Sequence, residues 1–187
     1  MRVLLSTLSL LTIFSGGLQA GSIEDQVKQA IDFAKTGRSA DSVLAMRGAA
    51  LDLWLQTPFG FSQAMFVEQS VPRYGAYNPR ETNTFTSEQP VFVYIEPIGY
   101  DWTKEGDFYT TELVVDAALL SADRETLWSQ DKFGDFKLSG RQRFMEFMVN
   151  LELDIDGLPP GDFILEYTLT DNISGQKSTV SLPFVSQ

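Results

Sequence analysis

Neither cysteine nor histidine occurs among the 187 residues of this chain. Without histidine there is no imidazole base, no Ser-His triad and no imidazole metal ligand. Without cysteine there is no thiol nucleophile, no thiolate metal site and no disulfide framework. Positive charge is scarce too: 14 Lys and Arg face 25 Asp and Glu, for a formal net charge of −11 and a pI near 4.3. That balance argues against a nucleic-acid partner, which needs clustered cations to displace counterions, and against anionic lipid headgroups. No glycine-rich phosphate loop of the Walker or Rossmann kind is present. No apolar run reaches the length of a comfortable membrane span. The expectation is a protein with no cofactor, no metal site and no catalytic residue of a familiar type.

What is present suffices for a core. Hydrophobic residues make up 43% of the chain and aromatics 12%, far more than an acidic disordered tail carries. The length suits one ordinary domain, or a small domain with a helical appendage. Residues 1–20 read as an export signal. Arg2 supplies the positive start, Val3 to Phe14 an apolar core, and Leu18-Gln19-Ala20 a small-residue end. Cleavage is expected after Ala20, which places the mature chain in the periplasm or outside the cell, with no span left. No cysteine follows to carry a lipid anchor.

Residues 21–60 read as a helical hairpin packed on a C-terminal sandwich. Ser22 is the expected N-cap, with Glu24 and Asp25 at the positive end of the helix dipole. Ile23, Val27, Ile31 and Ala34 share a face, and Gly37 stops the helix. A second helix is expected over 39–56, capped by Ser39 or Asp41. Its apolar face is Val43, Met46, Leu51, Trp54 and Leu55, and Thr57-Pro58 ends it. Trp54 and Leu55 are expected to be buried against Phe92 or Tyr94.

Residues 61–187 alternate with the period of strands. A first strand is expected over 62–71. Val91, Val93 and Ile95 form one face of a second, and Phe92 and Tyr94 the other, which the helices are expected to cover, with Pro97 ending the strand. Tyr109, Thr111, Leu113, Val115, Ala117 and Leu119 share a face, and residues 121–125 turn into Thr126-Leu127-Trp128. Residues 142–155 are expected to form the longest strand, with Met145, Phe147, Val149, Leu151, Leu153 and Ile155 inward. Phe163, Leu165, Tyr167 and Leu169 alternate next, residues 171–175 turn, and 177–184 pairs back. About seven strands with turns at this spacing predict a mainly β chain with N-terminal helices. The fold class is an Ig-like or fibronectin-type antiparallel β-sandwich preceded by a helical hairpin.

The segment from Leu158-Pro159-Pro160-Gly161 through Tyr167 to Ser174-Gly175 is similar to the last hairpin of many bacterial Ig-like domains. The more distinctive YNPRETNTF (77–85) and QPVFVYIEP (89–97) resemble an uncharacterised family of exported bacterial proteins laid out as signal, helices and sandwich. That likeness covers about the last two-thirds of the chain. It implies no activity and no catalytic residues.

The candidate site residues are Tyr77, Arg80, Tyr94, Glu96 and Trp102. Pro79 pushes the chain before it out of the helical region and would deliver Arg80 beside Glu96 as an ion pair. Tyr77 and Tyr94, with Tyr74, Tyr100 and Trp102, would form either an aromatic binding patch or ordinary packing. Glu152, Asp154 and Asp156 project from one strand face as a solvated edge, a glycosidase pair or a calcium site. Arg141-Gln142-Arg143 is the densest basic patch. Two functions are compatible with these residues. One is a non-catalytic binding module for a protein, peptide or glycan of the cell envelope. The alternative is a carboxylate-dependent hydrolase acting on a glycan or envelope component.

Overall fold

Ser22 does cap the first helix. Its hydroxyl accepts from the backbone N–H of Asp25 at 3.2 Å, satisfying one of the donors a helix start leaves open. The computed structural model describes residues 22–86 and 88–187; the expected export signal at 1–20 lies outside the described residues. The chain is mainly β with two N-terminal helices, α1 (Ile23–Lys35) and α2 (Ser39–Trp54). The described residues group into two compact units that part between Met46 and Arg47, inside α2.

In the first unit Gly37 takes a φ of +75°, a left-handed turn that closes α1. The Ser42 hydroxyl donates to the Ala30 carbonyl at 2.7 Å and ties the hairpin. Ala30 is the residue of α1 that becomes buried, while Ile31 of the expected apolar face is exposed. Val43, Leu44 and Met46 are exposed as well. The reason is in the composition of α2, which is apolar on more than one side, so no single stripe can bury all of it.

Among the described residues, the second unit holds nine strands. Three form one sheet in the order β1 (Gly60–Val67), β3 (Val91–Ile98), β7 (Val149–Leu153). In the other, β5 (Phe108–Ser121) is central. It pairs antiparallel with β8 (Gly161–Asp171), β6 (Thr126–Gly140) and the short β4 (Thr103–Glu105), and β8 continues to β9 (Lys177–Ser186). The two-residue β2 (Thr84–Phe85) adds to β9 in the parallel sense, a departure from the wholly antiparallel expectation. Alternate residues of β3, β5, β7 and β8 meet in one core: Val93 and Ile95, Leu113 and Val115, Val149 and Leu151, Leu165 and Leu169. The alternation of 109–119 and 163–169 is therefore as expected, because each strand buries one face.

Four expectations need correction. The longest strand is β6, with 15 residues, and the segment expected to be longest contributes only the five of β7. Pro97 explains the difference. It does not end β3, since Phe61 still pairs with Pro97 and Gly60 with Ile98 on the β1 side. On the β7 side the ladder runs only from Val91 to Ile95. A proline offers no N–H, so it can sit in a strand whose ladder it stops on one edge. Leu55 is 47% exposed, and Trp54 lies against Tyr100 and Trp102 rather than Phe92 or Tyr94. The fourth correction concerns the outer face of β3, which the helices were expected to cover. Tyr94 is fully buried there, covered by Val71, Ala76 and Tyr77 from the segment after β1 and by Met148.

Candidate functional site

On β3 the residues two apart share a face, so Tyr94 and Glu96 both point away from the main core. The segment 71–77 arches over them. Tyr77 stacks on Tyr94 with ring centroids 4.6 Å apart, and the Gly75 N–H donates to the Tyr94 hydroxyl at 2.8 Å. The Tyr94 hydroxyl in turn donates to the Glu96 carboxylate at 2.7 Å, and the Ser62 hydroxyl from β1 reaches the other oxygen at 3.3 Å. Glu96 is buried, and among the described residues it has no ion-pair partner. Neutral hydroxyls take the place of the cation that usually accompanies a buried carboxylate. Tyr94 holds its proton well above the usual tyrosine range, first through burial and then through its hydrogen bond to Glu96. Half-exposed Tyr74 shifts the same way, through burial first and then the charge of Glu96, with Glu146 adding to it.

Arg80 is elsewhere. The bridge between Val67 and Pro79 lays its backbone against β1, with its N–H on the Phe66 carbonyl at 3.1 Å. Its guanidinium donates to the carbonyls of Thr82 and Thr84 at 3.3 and 3.0 Å, 4.3 Å from the centre of the Phe85 ring. The expected Arg80–Glu96 pair is thus replaced by two separate arrangements. A double-mutant cycle of Arg80→Ala and Glu96→Gln should give a coupling energy within about 0.5 kcal/mol of zero. Arg80→Ala alone should cost about 1–2 kcal/mol through its hydrogen bonds and ring contact. Coupling above about 1 kcal/mol in urea titrations would contradict this separation.

Trp102 belongs to a third cluster, with Trp54 at 6.0 Å, Tyr100 at 5.4 Å and Phe144 at 6.3 Å. Its indole N–H is buried and has no hydrogen-bond partner among the described residues. Of the five candidates, the structure brings together Tyr77, Tyr94 and Glu96.

The sequence reading missed a groove just before β7. Arg47 and Leu51 of α2 line it together with Arg143, Phe144, Met145 and Glu146, around a volume of about 510 Å³. The segment leaves the sheet where Pro97 stops the ladder, and the Phe144 carbonyl accepts from the Tyr100 hydroxyl at 2.9 Å instead. Arg143 sits 5.6 Å from the centre of the Tyr109 ring. Glu146 is near enough to Tyr74 and Tyr100 to raise the proton affinity of both hydroxyls, behind the larger effect of burial. The basic run 141–143 was the one legible signal. Phe144 to Glu146 alternated like strand and pointed away from a groove.

Glu152, Asp154 and Asp156 are exposed. Asp154 accepts from the Asp156 N–H at 2.9 Å. Among the described residues no three acidic side chains gather as a metal site would need, and no helix is long and apolar enough to cross a membrane.

No family model matches the chain, and no curated protein does. Among solved structures, the chain is similar to the alkylpurine DNA glycosylase AlkC of Pseudomonas fluorescens bound to DNA containing an abasic-site analogue. The identity is 12% and the TM-score 0.39, over 80% of this chain and 40% of that one. The chain spans about 40% of the length of that enzyme chain, and a likeness this faint says nothing about activity.

Proposed function

We propose that the chain is a non-catalytic binding module of the cell envelope, exported to the periplasm or beyond, with an Ig-like two-sheet body that presents a groove for a segment of peptide. The observation that carries the reading is the groove before β7. Its volume of about 510 Å³ lies within the roughly 300–1,000 Å³ of ordinary ligand sites. Its lining includes apolar Leu51 and Phe144 and the adaptable thioether of Met145. Arg47 and Arg143 offer donors for a carboxylate in a chain that is otherwise strongly acidic, and Glu146 accepts from an amine or amide. Cations, a carboxylate and apolar side chains lining one groove match a peptide better than a purely anionic or purely apolar ligand.

The test is a titration of the intact protein with short peptides carrying an acidic residue next to an apolar one. Arg143→Ala should weaken binding about tenfold or more while changing the melting temperature little, since its ring contact with Tyr109, at 5.6 Å, is longer than the 4.3 Å of Arg80 over Phe85. Equal binding by the parent and the variant would remove the groove as the site.

The alternative reading, a hydrolase acting on a glycan or envelope component, draws on Glu96 and Glu146, whose charges both bear on Tyr74. It requires turnover that disappears in Glu146→Gln while binding persists.

A further inference from the structure

The other end of β7 also opens into a cavity. Where β7 runs out at Leu153, the chain turns through residues 154–159 beneath the end of the β5–β6 pair, enclosing about 340 Å³. Trp128 of β6 stands directly across from Leu119 of β5 in the strand register, so both look toward the interior. Leu119 is buried, whereas Trp128 is only partly covered and faces the cavity along with Leu158 and Pro159. Trp54 and Trp102 are both 9% exposed, which leaves Trp128 as the more accessible of the three tryptophans. The charged side chains at this cavity are Asp154 and Asp156; among the described residues no lysine or arginine lines it.

We infer that this cavity is a second site, taking a neutral pyranose ring. An indole beside a small cavity suits the C–H face of a sugar, through burial and weak C–H contacts to the ring. Two carboxylates that can only accept suit a ligand rich in hydroxyl donors, and such O–H···O⁻ bonds are among the strong ones. One oxygen of Asp154 is engaged by the Asp156 N–H at 2.9 Å, so its second oxygen and the exposed carboxylate of Asp156 are left to receive a ligand's donors. The same carboxylates repel an anion, which sets this cavity apart from the arginine-bearing groove. A purely apolar ligand would desolvate both aspartates without giving them a donor, at a cost that its own burial does not recover.

Trp128 makes the test direct. Cellobiose, whose ring hydroxyls are equatorial, is titrated into the intact protein up to about 10 mM, well above a millimolar dissociation constant. The tryptophan emission should move to shorter wavelength with saturation, and the shift should be absent in Trp128→Phe. Asp156→Ala, a change at an exposed turn, should weaken the titration about tenfold with the melting temperature unchanged. Glucuronic acid at the same concentration should give no saturable shift. Arg143→Ala should leave the cellobiose titration as in the parent, so that failure of the groove and failure of this cavity are told apart. The inference is overturned by the absence of any saturable shift, by an equal response to glucuronic acid, or by a titration that Asp156→Ala does not alter.

Discussion

Trp54→Ala should cost about 3–5 kcal/mol of stability, as truncation of a buried aromatic does. Trp54 is the point where the end of α2 enters the core of the second unit. Its ring meets Tyr100 edge-on at 5.0 Å and Trp102 at 6.0 Å, and its indole N–H donates to the Tyr100 carbonyl at 2.8 Å. Alanine would open a void among rings that cannot collapse into it, and would leave that buried carbonyl short of a donor. The approach is tight on the backbone side as well. Gly99, with φ at +74°, lies so close to the Thr57 and Pro58 carbonyls that a Cβ there would come within 2.6 Å of both. Urea unfolding should show the loss as a lower midpoint with an unchanged slope. Trp54→Phe should recover most of the packing and lose about 1 kcal/mol for the hydrogen bond. Leu55→Ala, one residue on but exposed, should stay within about 0.5 kcal/mol. Equal effects at 54 and 55 would contradict this account of how the helix is anchored.

Asp171→Ala should be comparably damaging, at about 3–5 kcal/mol summed over the donors it strands. Asp171 ends β8 with no exposed surface. Its carboxylate accepts from the N–H of Asp101 at 3.0 Å, the N–H of Ile173 at 2.9 Å and the hydroxyl of Ser174 at 2.5 Å. It therefore ties the β8–β9 turn to the segment carrying Tyr100 and Trp102. The same turn supplies Gln176, whose side-chain carbonyl accepts from the Phe59 N–H at 3.1 Å. Removing the carboxylate leaves two backbone N–H groups without the acceptor that holds them. Asp171→Asn keeps one acceptor oxygen and should recover part of the loss. Amide hydrogen exchange at Asp101 and Ile173 should quicken in the alanine variant; protection unchanged at both would mean that water replaces the carboxylate without penalty.

Features carried by neighbours along the chain were legible in advance. The Ser22 cap needs only Asp25 three residues on, and Gly37 needs only its own backbone freedom. The inward faces of β5 and β8 follow from a period of two, which any half-buried strand must show. The turns at 121–125 and 171–175 follow from residues that favour them locally. Imidazole and thiol side chains could be set aside in the same way, because a residue type absent from the sequence is absent from every fold of it.

Whatever depended on a partner far away in sequence was settled by the assembled sheets. Arg80 and Glu96 look like an ion pair when read in line, but the Val67–Pro79 bridge turns Arg80 toward the Thr82 and Thr84 carbonyls, while Glu96 is met by Tyr94 and Ser62. The alternation through 142–155 promises one long strand, yet Pro97, 50 residues before Phe147, withholds the donor that would extend the ladder. The cover over Tyr94 comes from a stretch, 71–77, with little periodicity to read. Asp171 sits in what reads as an ordinary turn, and its burial becomes visible only when Asp101 arrives beside it. The groove of Arg143 with Arg47, and the cavity of Trp128 with Asp156, each join segments separated by more than 25 residues. A residue's local preference is set within a few bonds of its own backbone, whereas a site is made by loop closure, whose outcome depends on how every strand between its members has paired.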